Sequence, residues 1–209
     1  MSSRAALWLA DADAVSDEAL QRYRGWLAPG ELEREARFTR RQRRCQFIVG
    51  RVLLRMALGR LLGVASQAVH LDEQAGRAPK LVAPLLRHGG PVPGFSIAHS
   101  GRWVACAVSA DAALGLDIEL LDSTRDLSAL AEQAFDAQEM ARWSQMDGLD
   151  KAGRMEGFYR LWSEKEARFK LGRSDAGSCL ALPHAELSVV LCSVPALTQA
   201  PRIEVVTLP

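Results

Sequence analysis

The sequence predicts an α+β fold, and three observations predict it. Runs in which apolar and polar residues alternate mark strands, as at residues 69–73 and 115–119. Apolar residues spaced by three and four mark helices, most clearly across residues 156–171. Residues 95–100 and 103–108 flank a turn at Gly101, the pattern of one strand returning along another. With 209 residues, 48% of them hydrophobic, the chain can bury a real core as one large domain or two small ones.

In chain order, residues 1–10 hold a short apolar run that Asp11 and Asp13 interrupt before a signal-peptide core can form. Ser16 begins a helix with Asp17 and Glu18 in its first turn, where acids favour the helix dipole. Leu20, Tyr23 and Leu27 give its stripe, and Pro29-Gly30 ends it. A second helical region from Glu31 carries Arg34, Arg37, Arg40, Arg41, Arg43 and Arg44. From Phe47 it becomes apolar nearly all round and reaches about Leu62, with Gly63 as its stop. The arginines read either as a solvated face balanced by Glu31, Glu33 and Glu35 or as an anion-binding edge, since guanidinium forks fit phosphate oxygens. Arg51 lies within the apolar helix, where a buried guanidinium needs an anion or carbonyl partner.

Residues 76–80 read as a turn into Leu81 and Val82, and residues 88–94 as a second loop; neither is a dinucleotide or P-loop fingerprint. His99 and Ser100 fall on a hairpin rim beside Gly101. There an imidazole, a hydroxyl and backbone N–H groups together suit a phosphate, although a histidine can equally be a structural hydrogen-bonder.

Gly-Leu-Asp-Ile-Glu at 115–119 carries the sharpest chemistry. In a strand Asp117 and Glu119 share one face while Leu116, Ile118 and Leu120 share the other. Paired carboxylates on a core-forming strand repel and resist desolvation, which a hard cation such as Mg²⁺ relieves; the alternative is a strand with one wet face. A polar link over 122–126 leads to helical periodicity from Leu127 and to another helix at Asp136. Glu139, three residues after Asp136, completes a capping-box pattern and is also a candidate catalytic carboxylate. In the segment 156–171, Phe158, Trp162, Glu166, Phe169 and Lys170 fall on neighbouring turns of one side, which carries Glu166 inward. Lys170 can neutralise it as an i,i+4 pair; alternatively Glu166 is a third acid for an octahedral Mg²⁺ site.

The formal net charge of +1 sets up no global field toward nucleic acid or membrane, and the arginine run lacks interleaved aromatics and a surrounding DNA-binding module. Cys45, Cys106, Cys179 and Cys192 show no metal-ligand or redox spacing, which suits a reducing cytosol. No apolar run approaches membrane-spanning length. The expectation is a soluble, cytoplasmic globular protein.

Three motifs then make the chain recognisable: Phe-Ser-Ile-Ala-His-Ser-Gly at 95–101, Gly-Leu-Asp-Ile-Glu at 115–119 and Trp-Ser-Glu-Lys-Glu-Ala-Arg-Phe-Lys at 162–170. In order and spacing they resemble the signature motifs of the 4'-phosphopantetheinyl transferases, in the monomeric surfactin-synthetase-activating branch. The resemblance implies a pseudo-dimer of two similar α+β subdomains with the active site in the cleft between them. The N-terminal subdomain, on the coenzyme A nucleotide side, would cover residues 1–110, and the C-terminal one, with the acids and the catalytic helix, residues 111–209. The halves would meet near residues 109–113. The resemblance further implies transfer of the phosphopantetheine arm of coenzyme A to a serine of an acyl or peptidyl carrier protein, releasing adenosine 3',5'-bisphosphate. Such carriers serve fatty-acid, polyketide or nonribosomal-peptide synthesis.

Residue by residue, it makes Asp117, Glu119 and Glu166 Mg²⁺ ligands, Lys170 a pyrophosphate contact and His99 a contact of the coenzyme's 3'-phosphate. Ser100, Lys165, Arg51 and Arg44 join the coenzyme-binding set, and Glu139 falls where some members carry a carboxylate proposed to deprotonate the acceptor serine. Three departures concern the nucleotide pocket: Ala98 stands where the family often has serine, Gly76-Arg77-Ala78-Pro79 replaces the usual Gly-Lys-Pro, and Gln46 lies where a helix arginine is expected. The serine proton would pass to Glu139 or to a water held by Glu166 and the metal. Two other classes are compatible with parts of the pattern: a metal-dependent coenzyme A or nucleotide pyrophosphohydrolase, and a non-catalytic module binding nucleic acid or a partner through the arginine-rich helix.

Overall fold

The structure, a computed structural model, describes residues 3–73, 78–84, 92–172 and 177–208. The expected turn residues Gly76 and Arg77, and the loop residues 88–91, lie outside the described residues. In chain order the elements are β1 (Ala6–Asp11), α1 (Asp17–Arg24), α2 (Pro29–Ala36), α3 (Arg41–Leu62), β2 (His70–Asp72), β3 (Lys80–Ala83), β4 (Gly94–Ser100) and β5 (Trp103–Ser109). They continue as β6 (Ala113–Leu120), α4 (Leu127–Ala134), α5 (Ala137–Ser144), α6 (Lys151–Leu171), β7 (Ser178–Leu182), β8 (Leu187–Val194) and β9 (Ile203–Val205). Helices and antiparallel strands are mixed, an α+β fold.

Two sheets carry the architecture. One has the order β4-β5-β1-β9, the other β6-β8-β7, and β2-β3 forms a separate ribbon. The long helices α3 and α6 each pack on one face of a sheet, α3 through Val49, Val52 and Leu53, α6 through Ala167 and Leu171. Between the sheets, Leu7, Leu9, Ala105 and Ala107 of the first meet Leu116, Ile118, Val189 and Leu191 of the second. Truncating a side chain such as Leu116, fully buried there, to alanine would cost about 2–5 kcal/mol.

The sheets also meet along a seam where β4 and β6 run side by side in the same direction. Gly94 lies against Ala112 and Ala113. Farther along, Leu116 N donates to Ser96 Oγ at 2.9 Å and Leu120 N donates to Ser100 Oγ at 3.0 Å. Serine hydroxyls therefore answer N–H groups on β6 that β8 does not take.

Several expectations need correction. Helix α1 ends at Arg24, capped by Gly25, before Leu27 and Pro29 are reached, and Pro29 opens α2, because proline's missing N–H is harmless in a first helical turn. The arginine-rich region is not one helix. It breaks at Arg37–Arg40, and the break lets Glu31 and Glu35 of α2 turn back onto arginines of α3. The apolar run near the N-terminus is a central strand, β1. Near the other end of the chain, β9 pairs in parallel with β1 and Leu208 is buried in the α3 core. Cys179 and Cys192 are joined by a disulfide, because the β7–β8 register sets them directly opposite each other. That pairing was invisible in their spacing of 13 residues, and it removes the argument from the cysteines for a reducing cytosol. Among the described residues no helix is long and apolar enough to cross a membrane.

Candidate active site

Asp117 and Glu119 leave β6 on the face toward α6, opposite Leu116 and Ile118 in the inter-sheet core. Gly115 makes the close approach of α6 possible: a Cβ there would lie 2.0 Å from the Ala167 carbonyl oxygen. The helix backbone thus rests directly on the strand, with Ser163, Glu166 and Lys170 over the acids. Lys170 Nζ donates to Asp117 Oδ1 at 2.7 Å. Asp117 Oδ2 and the fully buried Ser163 Oγ have no hydrogen-bond partner in full geometry among the described residues. Burial pushes the Asp117 carboxyl above its usual range; Lys170 and Ser163 pull it down, and the charge of Glu166 pushes it up. Glu166 is half-buried and makes no hydrogen bond among the described residues.

Glu119 is held differently. Ser100 Oγ donates to Glu119 Oε2 at 2.8 Å. Burial raises this carboxyl too, the Ser100 hydrogen bond opposes the rise, and the charge of Asp117 adds to it. Ser100 ends β4 at a turn made by Gly101, whose φ of 56° favours glycine.

Across that turn lies a cavity of about 480 Å³ whose lining includes Arg43, Gln46, Arg51, Pro79, His99 and Lys170. Arg43 Nη1 sits 3.1 Å from His99 Nδ1 and 3.2 Å from Nε2. Loss of water around the ring, then the Arg43 charge, push the imidazole down to about 4, although part of it stays exposed. His99 is therefore neutral at pH 7. The same face of α3 fixes the turn: Gln46 Nε2 donates to the Gly101 carbonyl at 2.7 Å and Gln42 Nε2 at 3.1 Å.

The remaining expected residues separate. Arg51 borders the cavity, but its guanidinium is buried against Glu73 Oε2 (3.1 Å from Nε) and Glu31 (3.3 Å) and stacks on Phe47 at 4.7 Å. Arg44 faces away from the cavity and pairs with Glu35 at 3.2 Å. Lys165 and Glu139 lie in a second cavity, of about 800 Å³, bordered also by Glu166 and Phe169. Lys165 Nζ donates to Glu139 Oε2 at 2.6 Å, and the same oxygen accepts the Asp136 N–H at 2.8 Å in a capping box. Sequence reasoning named Arg43 only as one of a run of arginines and passed over Ser163. A signal for the first existed: Arg43, Gln46 and Gly50 repeat at helical spacing, and Gly50 lies against Ile97 and Val104 of the first sheet.

Among the described residues no three His, Cys, Asp or Glu side chains converge closely enough to hold a metal as they stand. Lys170 occupies one oxygen of Asp117 and Ser100 one of Glu119. The donor set nevertheless fits a hard divalent cation: it is all carboxylate oxygen, partly desolvated, with Asp117 Oδ2 unsatisfied.

Residues 113–204 match the family model of the 4'-phosphopantetheinyl transferase superfamily. The chain is 31% identical over 170 residues to 4'-phosphopantetheinyl transferase HetI of Nostoc sp. (strain PCC 7120), covering 81% of this chain and 69% of HetI. It is 30% identical over 178 residues to 4'-phosphopantetheinyl transferase Sfp of Bacillus subtilis (strain 168), covering 85% and 72%. To 4'-phosphopantetheinyl transferase AcpT of Salmonella typhimurium (strain LT2) it is 31% identical over 162 residues, 76% of each chain.

Proposed function

The chain belongs to the 4'-phosphopantetheinyl transferase superfamily, a family of enzymes, and from that premise we propose that it transfers the 4'-phosphopantetheine group of coenzyme A to a serine of an acyl or peptidyl carrier protein, releasing adenosine 3',5'-bisphosphate. One observation carries the reading: Lys170 belongs to two places at once. It hydrogen-bonds Asp117 among the acids and also lines the cavity of Arg43 and His99. A pyrophosphate spanning the two would meet cationic groups at one end and the acid cluster at the other.

In this reading Asp117, Glu119 and Glu166 hold Mg²⁺, which when bound neutralises charge on the pyrophosphate and on the departing nucleotide. His99 and Arg43 take the 3'-phosphate, His99 gaining a proton as the anion enters. Lys170 turns from Asp117 to a pyrophosphate oxygen, an ammonium-to-phosphate bond stronger than a neutral one. Arg51, tied to Glu73 and Glu31, shapes the cavity wall; Arg44 stands away from it and keeps a structural role. The carrier serine enters by the cavity of Glu139, Lys165 and Glu166, and its proton goes to a carboxylate there. Glu139 has Oε1 free of hydrogen bonds among the described residues, whereas Oε2 is taken twice. The subdomains are residues 1–110 and 111–209, with β9 returning to the first. The protein acts as a cytoplasmic monomer and needs neither nucleic acid nor membrane.

Intact-mass spectrometry of several apo carrier proteins incubated with this protein, coenzyme A and Mg²⁺ tests the proposal. The expected result is one phosphopantetheine added per carrier, lost when the carrier serine is replaced. Adenosine 3',5'-bisphosphate released without any carrier would overturn transfer in favour of hydrolysis.

A further inference from the structure

We propose that Ser100 is a positioning residue for Glu119, presetting that carboxylate for a divalent cation, and that it does not contact the coenzyme phosphate. The proposal rests on the metal-binding reading above and deepens it.

A serine hydroxyl has one proton and two lone pairs. At Ser100 the proton goes to Glu119 Oε2 at 2.8 Å and a lone pair takes the Leu120 N–H at 3.0 Å. While that arrangement lasts, nothing is left to donate to a phosphate. The hydroxyl is fixed from both sides of the seam. Gly101 next to it is held through its carbonyl by Gln46 and Gln42, and a Cβ at Gly101 would lie 3.0 Å from Leu120 Cδ2. Four residues earlier Ser96 repeats half of the pattern, accepting the Leu116 N–H at 2.9 Å. Among the described residues Ser96 meets no carboxylate, so it is a built-in control: one serine joins the sheets, the other joins them and holds an acid.

The acid needs holding. Asp117 and Glu119 share one strand face and repel each other, and both are partly desolvated. A donor on Oε2 fixes the plane of the Glu119 carboxylate, leaving Oε1 without a hydrogen bond among the described residues. Outer partners of carboxylate ligands of this kind are worth about 10–100-fold in metal affinity. His99 and Ser100 are consecutive in one strand, so the turn that offers an imidazole to the phosphate cavity also sets an acid for the cation.

The experiment measures Mn²⁺ binding to the full chain without coenzyme, from the free-ion electron paramagnetic resonance signal, and metal-free binding of adenosine 3',5'-bisphosphate by calorimetry. Ser100→Val and Ser100→Thr have the same shape and differ in the hydroxyl. Ser100→Val is expected to weaken Mn²⁺ about tenfold or more while metal-free bisphosphate affinity stays within about twofold; Ser100→Thr should restore most of the Mn²⁺ affinity. Ser96→Ala should lower the melting temperature and leave Mn²⁺ affinity alone. Equal Mn²⁺ affinity in the two Ser100 variants, or loss of metal-free bisphosphate binding in Ser100→Val, would overturn the proposal. If the unaltered protein binds no Mn²⁺ that Glu119→Gln removes, the metal reading itself has failed, an outcome recognisable before any Ser100 variant is made.

Discussion

Helices α3 and α6, of 22 and 21 residues, each lie on a sheet and treat buried charge in opposite ways. Around α3 each buried acid has an arginine, although Arg24 Nε, beside Glu35, has no hydrogen-bond partner among the described residues. Arg55 donates to both oxygens of Glu31, at 3.0 and 2.5 Å, and Arg51 pairs with Glu73 and Glu31. Under α6 the acids outnumber their partners: among the described residues Asp117 has Lys170 on one oxygen and only a weak approach from Ser163, and Glu166 has no hydrogen bond. A buried ion with its partner supports the fold, whereas breaking such a pair leaves a costly lone charge. Buried polar atoms left open call for another explanation, and a ligand is one. The contrast separates structural acids from reactive ones within a single chain.

The sharpest way to break the contrast is to remove acids on the α6 side. Asp117→Ala or Glu166→Ala should lower the rate of carrier loading by several kcal/mol of barrier, on the order of a thousandfold, with little change in thermal midpoint. Loading followed by mass spectrometry beside a melting curve checks both, and near-normal turnover would remove these acids from the site. The α3 side should answer in reverse. Glu31→Ala strands the Arg55 guanidinium and should cost about 3–5 kcal/mol in denaturant unfolding, while turnover per folded molecule stays close to normal. Gly115→Ala probes the contact that brings α6 onto β6. Its methyl group must displace the helix backbone, so about 1–3 kcal/mol of stability and a measurable part of turnover should be lost together.

The smallest effect concerns pH. His99 is held at about 4 against an ordinary 6.5, so between those values the unfolded chain binds a proton that the folded chain refuses. Stability is therefore favoured above pH 6.5 and declines as pH falls toward 4, and His99→Gln should flatten that slope in urea titrations. Phosphate in the cavity should reverse the preference. Bisphosphate binding near pH 7 should take up protons, seen as a dependence of calorimetric heat on buffer ionisation, and His99→Gln should abolish most of the uptake.

The reactive side was the more legible one in the sequence. The two-residue period of β6 put Asp117 and Glu119 on one face, and the helical period of α6 put Lys170 against Asp117; the same period placed Phe169 inward, yet that residue is 82% exposed. Ser16, Gly63 and the Asp136–Glu139 capping box were likewise readable, since caps act within one turn. What escaped depends on distant pairing. The choice of Arg43 over Arg44, about 100° apart around the helix, needs the rotation of α3 on its sheet, which a run of arginines does not reveal. The buried pairing of Glu31 with Arg55 needs the break between α2 and α3. The partnership of Cys179 with Cys192 needs strand register, and so does the bond from Ser100 to Glu119 across the seam.

The parallel pairing of β9 with β1 has a consequence for how the molecule comes into being. During synthesis β1 leaves the ribosome well before β9, and the edge that β9 covers stays open until residues 203–205 have been made. The His99 hairpin and the acids of β6 exist in the nascent chain well before that closure. Synthesis of residues 203–205, more than folding of either half, is then the event that covers this edge, and a chain cut before them keeps an unprotected strand.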